Sequence, residues 1–286
     1  MKRRAWTPPT DPTVGVVTGG GGGDERADAL RSTIEAAGGT VVFGSVSTVL
    51  QADPSLVVTT DESTLSALGR RGADGPILPA NTALAPTTTE ALPDDLERAC
   101  RLGGSVRRHP VLAVGTDSRN GEVDDGDGAS DGDDEDGVDD DTVSERAIFD
   151  ITLATDEPAL ISEYGVSSRE TSVVRFRADG VVVATPVGSR GYAHRADGPL
   201  LSPALDAVAV VPIAPFETRP HRWVLPNEGL SLSVLRTDDG PVTLSVDERV
   251  VGPVDSTVTI GVVDVLSTLV VQPGNDRTNS DRNRSS

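Results

Sequence analysis

The chain has 286 residues, enough to bury one large or two modest cores, and its formal charge of -20 (45 acidic against 25 basic residues) excludes the basic stripe that a nucleic-acid partner requires. Lys2 is the only lysine and Cys100 the only cysteine, so neither a disulfide framework nor a cysteine zinc site is expected. Apolar runs are only a few residues long and Met1-Lys-Arg-Arg is not followed by the apolar stretch of a signal peptide, so a cytoplasmic protein without a membrane span is expected. The acidic, lysine-poor surface with 3% aromatic residues suits a cytoplasm of very high salt, where like-charge repulsion is screened within about 3 Å at 1 M, and predicts a halophilic protein.

Residues 1–12 read as a short arm. Residues 14–17 are a predicted strand, followed by five glycines (Gly19 to Gly23) and a helix from Asp24 to about Ala37. Free N–H groups and the dipole at a helix start favour phosphate, which makes the glycine loop a candidate cradle. With Asp24 as N-cap, a plain flexible loop is an equal reading. Gly38-Gly39 ends this helix; residues 40–43 and 56–58 are further strands, and a helix runs on to Arg70. Such alternation predicts a parallel α/β sheet with ligand chemistry at the carboxyl ends of its strands, over residues 13–104. Asp61 stands at one such end, where it is also placed to cap the helix that follows. Residues 89–102 read as the helix that closes this domain.

From residue 105 the pattern turns to strands. Between Glu122 and Asp141 lie 12 acidic residues with no basic one among them, and residues 117–143 are expected to form a disordered surface insert; a calcium loop is the sharper alternative, although the spacing is irregular and no closing glutamate is present. Short β-branched runs dominate residues 173–271, with turns expected at Asp238-Asp239-Gly240 and Gly252-Pro253, so the domain over residues 105–272 is mostly β, ahead of a polar tail over residues 273–286. His109, His194 and His221 are not spaced with other ligands as a metal site requires, and surface positions are expected for all three.

Within the β-rich domain, Val181 to Ala184 form an apolar run bounded by Asp179-Gly180 and Pro186, a buried strand entering a loop. That loop, Thr185-Pro-Val-Gly-Ser-Arg-Gly-Tyr192, offers hydroxyls, two glycines and a guanidinium, a set suited to wrapping a polar, ring-bearing ligand. A glycine-punctuated hairpin or crossover is the plainer reading.

In order and register these segments resemble the NAD kinase family, which carries DG, an apolar strand, TPTGSTAY, SAGGP and a PI-x-P-H segment. Here stand Asp179-Gly180, the strand, Thr185 to Tyr192, Ala196-Asp-Gly-Pro199 and Pro212-Ile-Ala-Pro-Phe-Glu-Thr-Arg-Pro220. The family's GGDGT is represented by Thr59-Thr60-Asp61-Glu62-Ser63, its Asn-Glu strand by Phe149-Asp150 within Arg146 to Leu153, and its late S-x-D-G by Ser245-Val-Asp247 with Glu248 in place of glycine.

The resemblance implies an α/β first domain, a mostly-β second domain, and a cleft between Asp61 and the loop from Thr185 to Tyr192. It also implies transfer of a phosphoryl group from ATP or polyphosphate, accompanied by Mg2+, to the 2′-hydroxyl of NAD. Asp61 is then the general base, and Asp150, Asp179, Thr185, Gly188, Ser189, Arg190, Tyr192 and Arg195 bind the nucleotide. Arg190 and Arg195 replace a threonine and a serine; they read as bidentate phosphate ligands or as surface substitutions. Assembly as a homo-oligomer through the second domain is also implied. A nucleotide-binding regulatory module that has lost phosphoryl transfer is the competing reading, because Glu62 sets a carboxylate where phosphate would lie. A lipid kinase of the diacylglycerol type shares the GGDGT idea and leaves Thr185 to Tyr192 unexplained.

Overall fold

The structure, a computed structural model, describes residues 4–18, 24–85, 87–116, 144–157, 160–216, 221–236 and 240–272. The glycine loop 19–23, the acidic insert 117–143, the turn expected around residues 238–239 and the polar tail lie outside the described residues. Two compact units form: residues 1–108 with 266–286, and residues 109–265.

In the first unit the elements are β1 (Arg4–Trp6), β2 (Thr13–Val17), α1 (Asp24–Ala36), β3 (Thr40–Gly44), α2 (Val46–Gln51), β4 (Leu56–Thr59), α3 (Glu62–Arg71), β5 (Ile77–Pro79) and α4 (Leu92–Leu102). The strands β3, β2, β4 and β5 pair in parallel in that order, and Thr268, from the last strand of the chain, pairs in parallel with Ile77. The apolar runs of β2, β4 and β5 are buried on both faces, as a parallel sheet covered by helices requires, while β3 at the edge is only half-buried. Val14, Val16, Leu56, Val58 and Leu78 pack with Leu30 and Ile34 of α1 and Leu92 and Leu96 of α4. On the other face a Cβ on Gly15 would lie 2.3 Å from Val49 of α2, so glycine lets that helix sit directly on the sheet.

The short α2 has no counterpart in the sequence reading. Its β-branched residues give a weak helical signal, and its start depends on Ser45, whose Oγ accepts the Thr48 N–H. Helix α4 begins at Leu92 rather than Thr89, with proline in its first turn, where the missing N–H costs nothing. The residues ahead of it cap instead: Thr88 Oγ1 accepts the Ala91 N–H, and Thr87 Oγ1 donates to Asp95.

Strand β6 (Gly104–Thr116) runs from the first unit into the second, where β7 (Ser144–Ala147), β8 (Asp150–Thr155), β9 (Ser162–Ser168), β10 (Thr171–Ala178) and β11 (Gly180–Ala184) follow. After a loop containing α5 (Tyr192–Arg195) come β12 (Ala207–Ile213), β13 (Trp223–Pro226), β14 (Leu230–Arg236), β15 (Val242–Val246), β16 (Arg249–Val254) and β17 (Thr257–Val270). An antiparallel sheet of order β13-β12-β11-β8-β15-β16 faces the β10-β9-β14-β17 strands. Ile151, Leu153, Val181, Val183, Val210 and Leu244 of the first meet Tyr164, Val166, Phe176, Leu232 and Val258 of the second in one apolar core. The alternate residues Val182, Ala184, Ala209 and Val211 point the other way and are covered by Ala193 of α5 and Leu201. The fold is therefore an α/β first region and a mostly-β second one, as expected from the sequence.

Two sequence expectations in this unit are corrected. His109 is buried, at 4% exposure, on the face of β6 that it shares with buried Val111, opposite the face that Leu112 and Val114 turn to the core. Gly252-Pro253 is not a turn but part of β16, an edge strand on which the missing proline N–H is tolerated. The hairpin turns instead at Asp247 and Glu248, both left-handed with φ 48° and 65°, the conformation that a two-residue hairpin loop demands. Glu248 bears backbone strain there that glycine would not. Replacing it, Glu248→Gly, is expected to raise stability by about 1 kcal/mol, measured as a shift of the urea midpoint at constant slope. Among the described residues no helix is long and apolar enough to cross a membrane.

Candidate functional site

Strand β11 delivers the chain at Ala184 into a loop whose own hydroxyls hold it in shape. Thr185 and Ser189 are fully buried. Thr185 Oγ1 donates to the Ile148 carbonyl at 2.7 Å and accepts the Gly188 N–H, while the Thr185 N–H donates to the Phe149 carbonyl at 2.9 Å. Ser189 Oγ donates to the Pro186 carbonyl and accepts the Leu201 N–H. A Cβ on Gly188 would lie 1.9 Å from the Phe149 carbonyl oxygen, so only glycine permits the loop to seat against that carbonyl. The side chains left to meet a ligand follow: Arg190 is exposed, Tyr192 is half-buried, and the Arg195 guanidinium lies 5.7 Å from the Tyr192 ring centroid.

Against this loop stands the break between β7 and β8. Arg146 to Leu153 reads as one strand in the sequence, but Ile148 and Phe149 interrupt it, and the amides freed there are taken by one carboxylate. Asp247 Oδ2 accepts the Ile148 N–H at 3.1 Å, and its Oδ1 accepts those of Phe149 and Asp150 at 2.8 and 3.2 Å. The Asp247 N–H in turn donates to the Asp150 carbonyl at 2.9 Å. Asp150 itself is buried, and its carboxyl is pushed up to about 7 by burial and by the neighbouring Asp247 and Glu248 carboxylates, with Arg195 opposing.

Thr185, Gly188, Ser189, Arg190, Tyr192, Arg195 and Asp150 are thus brought to one end of the β8–β11 pair. Asp179 is not: it stands at the other end of β11, six residues and about 20 Å of extended chain from Thr185, where its carbonyl accepts from the Thr155 amide and hydroxyl. Asp247 is the residue whose part here sequence reading missed. The Ser-Val-Asp signal was visible, but not its contact with amides nearly a hundred positions away.

In the first unit Asp61 follows β4 and is the N-cap of α3. Its Oδ1 accepts the Thr64 N–H and the Ser63 hydroxyl, both at 2.7 Å, and its Oδ2 accepts the Thr64 hydroxyl at 2.9 Å. Burial pushes its pKa up, but these hydrogen bonds outweigh it and hold the carboxyl below the usual aspartate value. Glu62 turns to the Ala83 N–H, which its Oε1 accepts at 3.0 Å. Among the described residues no three His, Cys, Asp or Glu side chains are grouped to hold a metal ion.

Residues 150–264, which contain Asp150, the loop from Thr185 to Tyr192 and Asp247, match the family model of the ATP-NAD kinase C-terminal domain. The NAD kinase of Methanosarcina barkeri is 42% identical over 84 residues, 29% of this chain and 30% of that protein. That of Methanoculleus marisnigri is 38% identical over 97 residues, 33% of this chain and 35% of that protein. The matches therefore span about a third of the relatives' length. Among solved structures, yeast NADH kinase complexed with NADH superposes with a TM-score of 0.71 at 14% identity, covering 99% of this chain and 96% of that one. An NAD kinase from Archaeoglobus fulgidus in complex with ATP gives 0.68 at 20% identity, covering 91% and 94%.

Proposed function

We propose that this chain, which carries an ATP-NAD kinase C-terminal domain and is a relative of the NAD kinases, transfers a phosphoryl group from ATP or polyphosphate to the 2′-hydroxyl of NAD, giving NADP. The observation that carries the reading lies within the matched domain: a glycine-seated loop presents Arg190, Tyr192 and Arg195 beside a buried Asp150 whose carboxyl is pushed up to about 7. Tyr192 offers a ring face, the arginines offer forked donors for phosphate oxygens, and the Asp150 carboxyl both donates and accepts when protonated. Asp61 takes the proton from the attacking hydroxyl, its carboxylate kept ionised by Ser63 and Thr64. Mg2+ arrives with the donor and neutralises its phosphates. Because the chemistry is positioning and charge stabilisation, the protein has few bonds of its own to make. The acidic surface supports a cytoplasm of high salt as the working medium, and assembly as a homo-oligomer through the β-rich domain belongs to the same reading.

One observation favours a second reading, a nucleotide-binding module without turnover: the Asp61 carboxylate is fully engaged as a helix cap, and Glu62 adds a second carboxylate beside it. Incubation of the purified protein with NAD, ATP and Mg2+ in molar salt separates the two. NADP is the expected product; NAD binding without NADP selects the second reading, and the absence of both overturns the first and the second together.

A further inference from the structure

The loop that presents Arg190, Tyr192 and Arg195 has its anchor outside itself. Its first residue, Thr185, is tied by amide and hydroxyl to the carbonyls of Phe149 and Ile148, and Gly188 sits against the Phe149 carbonyl. Those carbonyls belong to the two-residue break between β7 and β8. What holds the break in place is the set of three N–H groups, on Ile148, Phe149 and Asp150, that converge on the Asp247 carboxylate, together with the return bond from the Asp247 N–H to the Asp150 carbonyl. The contacts form a continuous hydrogen-bonded path from the β15–β16 turn through residues 148–150 to the ligand-facing loop.

We propose that Asp247 is the positioning residue of this loop: its carboxylate fixes the 148–150 turn, and through that turn it sets where Asp150, Gly188 and the side chains after Gly188 stand. The assignment rests on the reading of the loop as the NAD-binding element. A residue needed only to make the hairpin turn would have to tolerate φ 48° and nothing more, a demand that glycine and asparagine also meet. Three converging donors demand an acceptor with two oxygens, which glycine lacks and asparagine supplies in part. In Asp247→Asn the retained oxygen serves Phe149 and Asp150, but an NH2 faces the Ile148 N–H. Removing the carboxylate also takes away a negative charge beside Asp150, whose titration then moves to lower pH.

Two variants, Asp247→Gly and Asp247→Asn, test this against the parent in molar salt, by amide hydrogen exchange and by NAD binding and turnover. Exchange at Ile148, Phe149 and Asp150 is expected to quicken by about 10-fold in the glycine variant and less in the asparagine variant, with the loop amides of Thr185, Gly188 and Ser189 following. NAD affinity is expected to fall by about 10-fold in the same order while kcat at saturating NAD stays within about 2-fold. Unchanged exchange at residues 148–150, or faster exchange there with the loop amides and NAD affinity unmoved, overturns the assignment and leaves Asp247 a turn former. If the parent itself fails to bind NAD, the functional reading falls, and the exchange at residues 185–189 still decides whether Asp247 positions the loop. Should the glycine variant fail to fold, the asparagine variant carries the same comparison.

Discussion

Asp61→Asn slows NADP formation by about 100-fold or more while unfolding stability moves by less than about 1 kcal/mol. The geometry makes the two effects separable. Asparagine keeps an oxygen where Oδ1 accepts the Thr64 N–H and the Ser63 hydroxyl, and its NH2 can donate to the Thr64 hydroxyl, which turns round to accept. The cap survives and the base does not. A pH profile adds a second check. The carboxyl is held below the usual aspartate value, so whatever stability its charge lends the cap is present above the unfolded-state pKa near 3.8 and is lost as pH falls through the lower folded-state value. Activity of the parent is accordingly expected to show no loss of base down to weakly acid pH, and Asp61→Asn a shallower acid limb in its stability. An asparagine variant that forms NADP as fast as the parent leaves Asp61 a helix cap and nothing else.

Asp150→Asn is expected to strengthen the protein and its grip on NAD at once, and both effects grow with pH. Asp150 carries a folded-state pKa raised from 3.8 to about 7. Because the folded state holds the proton more tightly than the unfolded one, the parent has its full stability below pH 3.8 and loses it as pH rises to about 7. Above that, a buried carboxylate stands beside Asp247 and Glu248 with Arg195 as counter-charge. The loss is on the order of 4 kcal/mol by roughly pH 8. Asparagine has no such proton to lose, so its urea midpoint is expected to stay level where the parent's falls. Its amide also supplies donor and acceptor together at every pH, so NAD affinity at roughly pH 8 is expected to rise by about 10-fold. A parent whose stability is flat between about pH 4 and pH 8 would remove the like-charge burial from this account.

Local pattern was enough for what is governed by neighbours in the chain. The buried runs at Val14 to Val17 and Leu56 to Val58, the helix opened by Asp61, and the apolar strand ending at Thr185 are each specified by period, cap and turn chemistry within ten or so residues. With those elements the α/β and β-rich regions followed, as did the loop from Thr185 to Tyr192 as the place to look. What local pattern could not reach were contacts whose partners lie far apart in sequence. His109 appeared to be a surface residue because nothing near it in the chain shows that β6 is covered on both faces there. Gly252-Pro253 carries a turn signal, but β16 is an edge strand where proline costs little, and the turn fell to Asp247-Glu248, where glutamate is a residue type that resists the left-handed backbone it adopts. The hydroxyls of Thr185 and Ser189 looked like ligand groups and are used in holding the loop, because burial left them only backbone partners. Asp247 and Asp150 meet only when β15 is laid beside β8, and it is that pairing, not either residue's neighbourhood in the chain, that gathers three amides on one carboxylate and raises the pKa of the other.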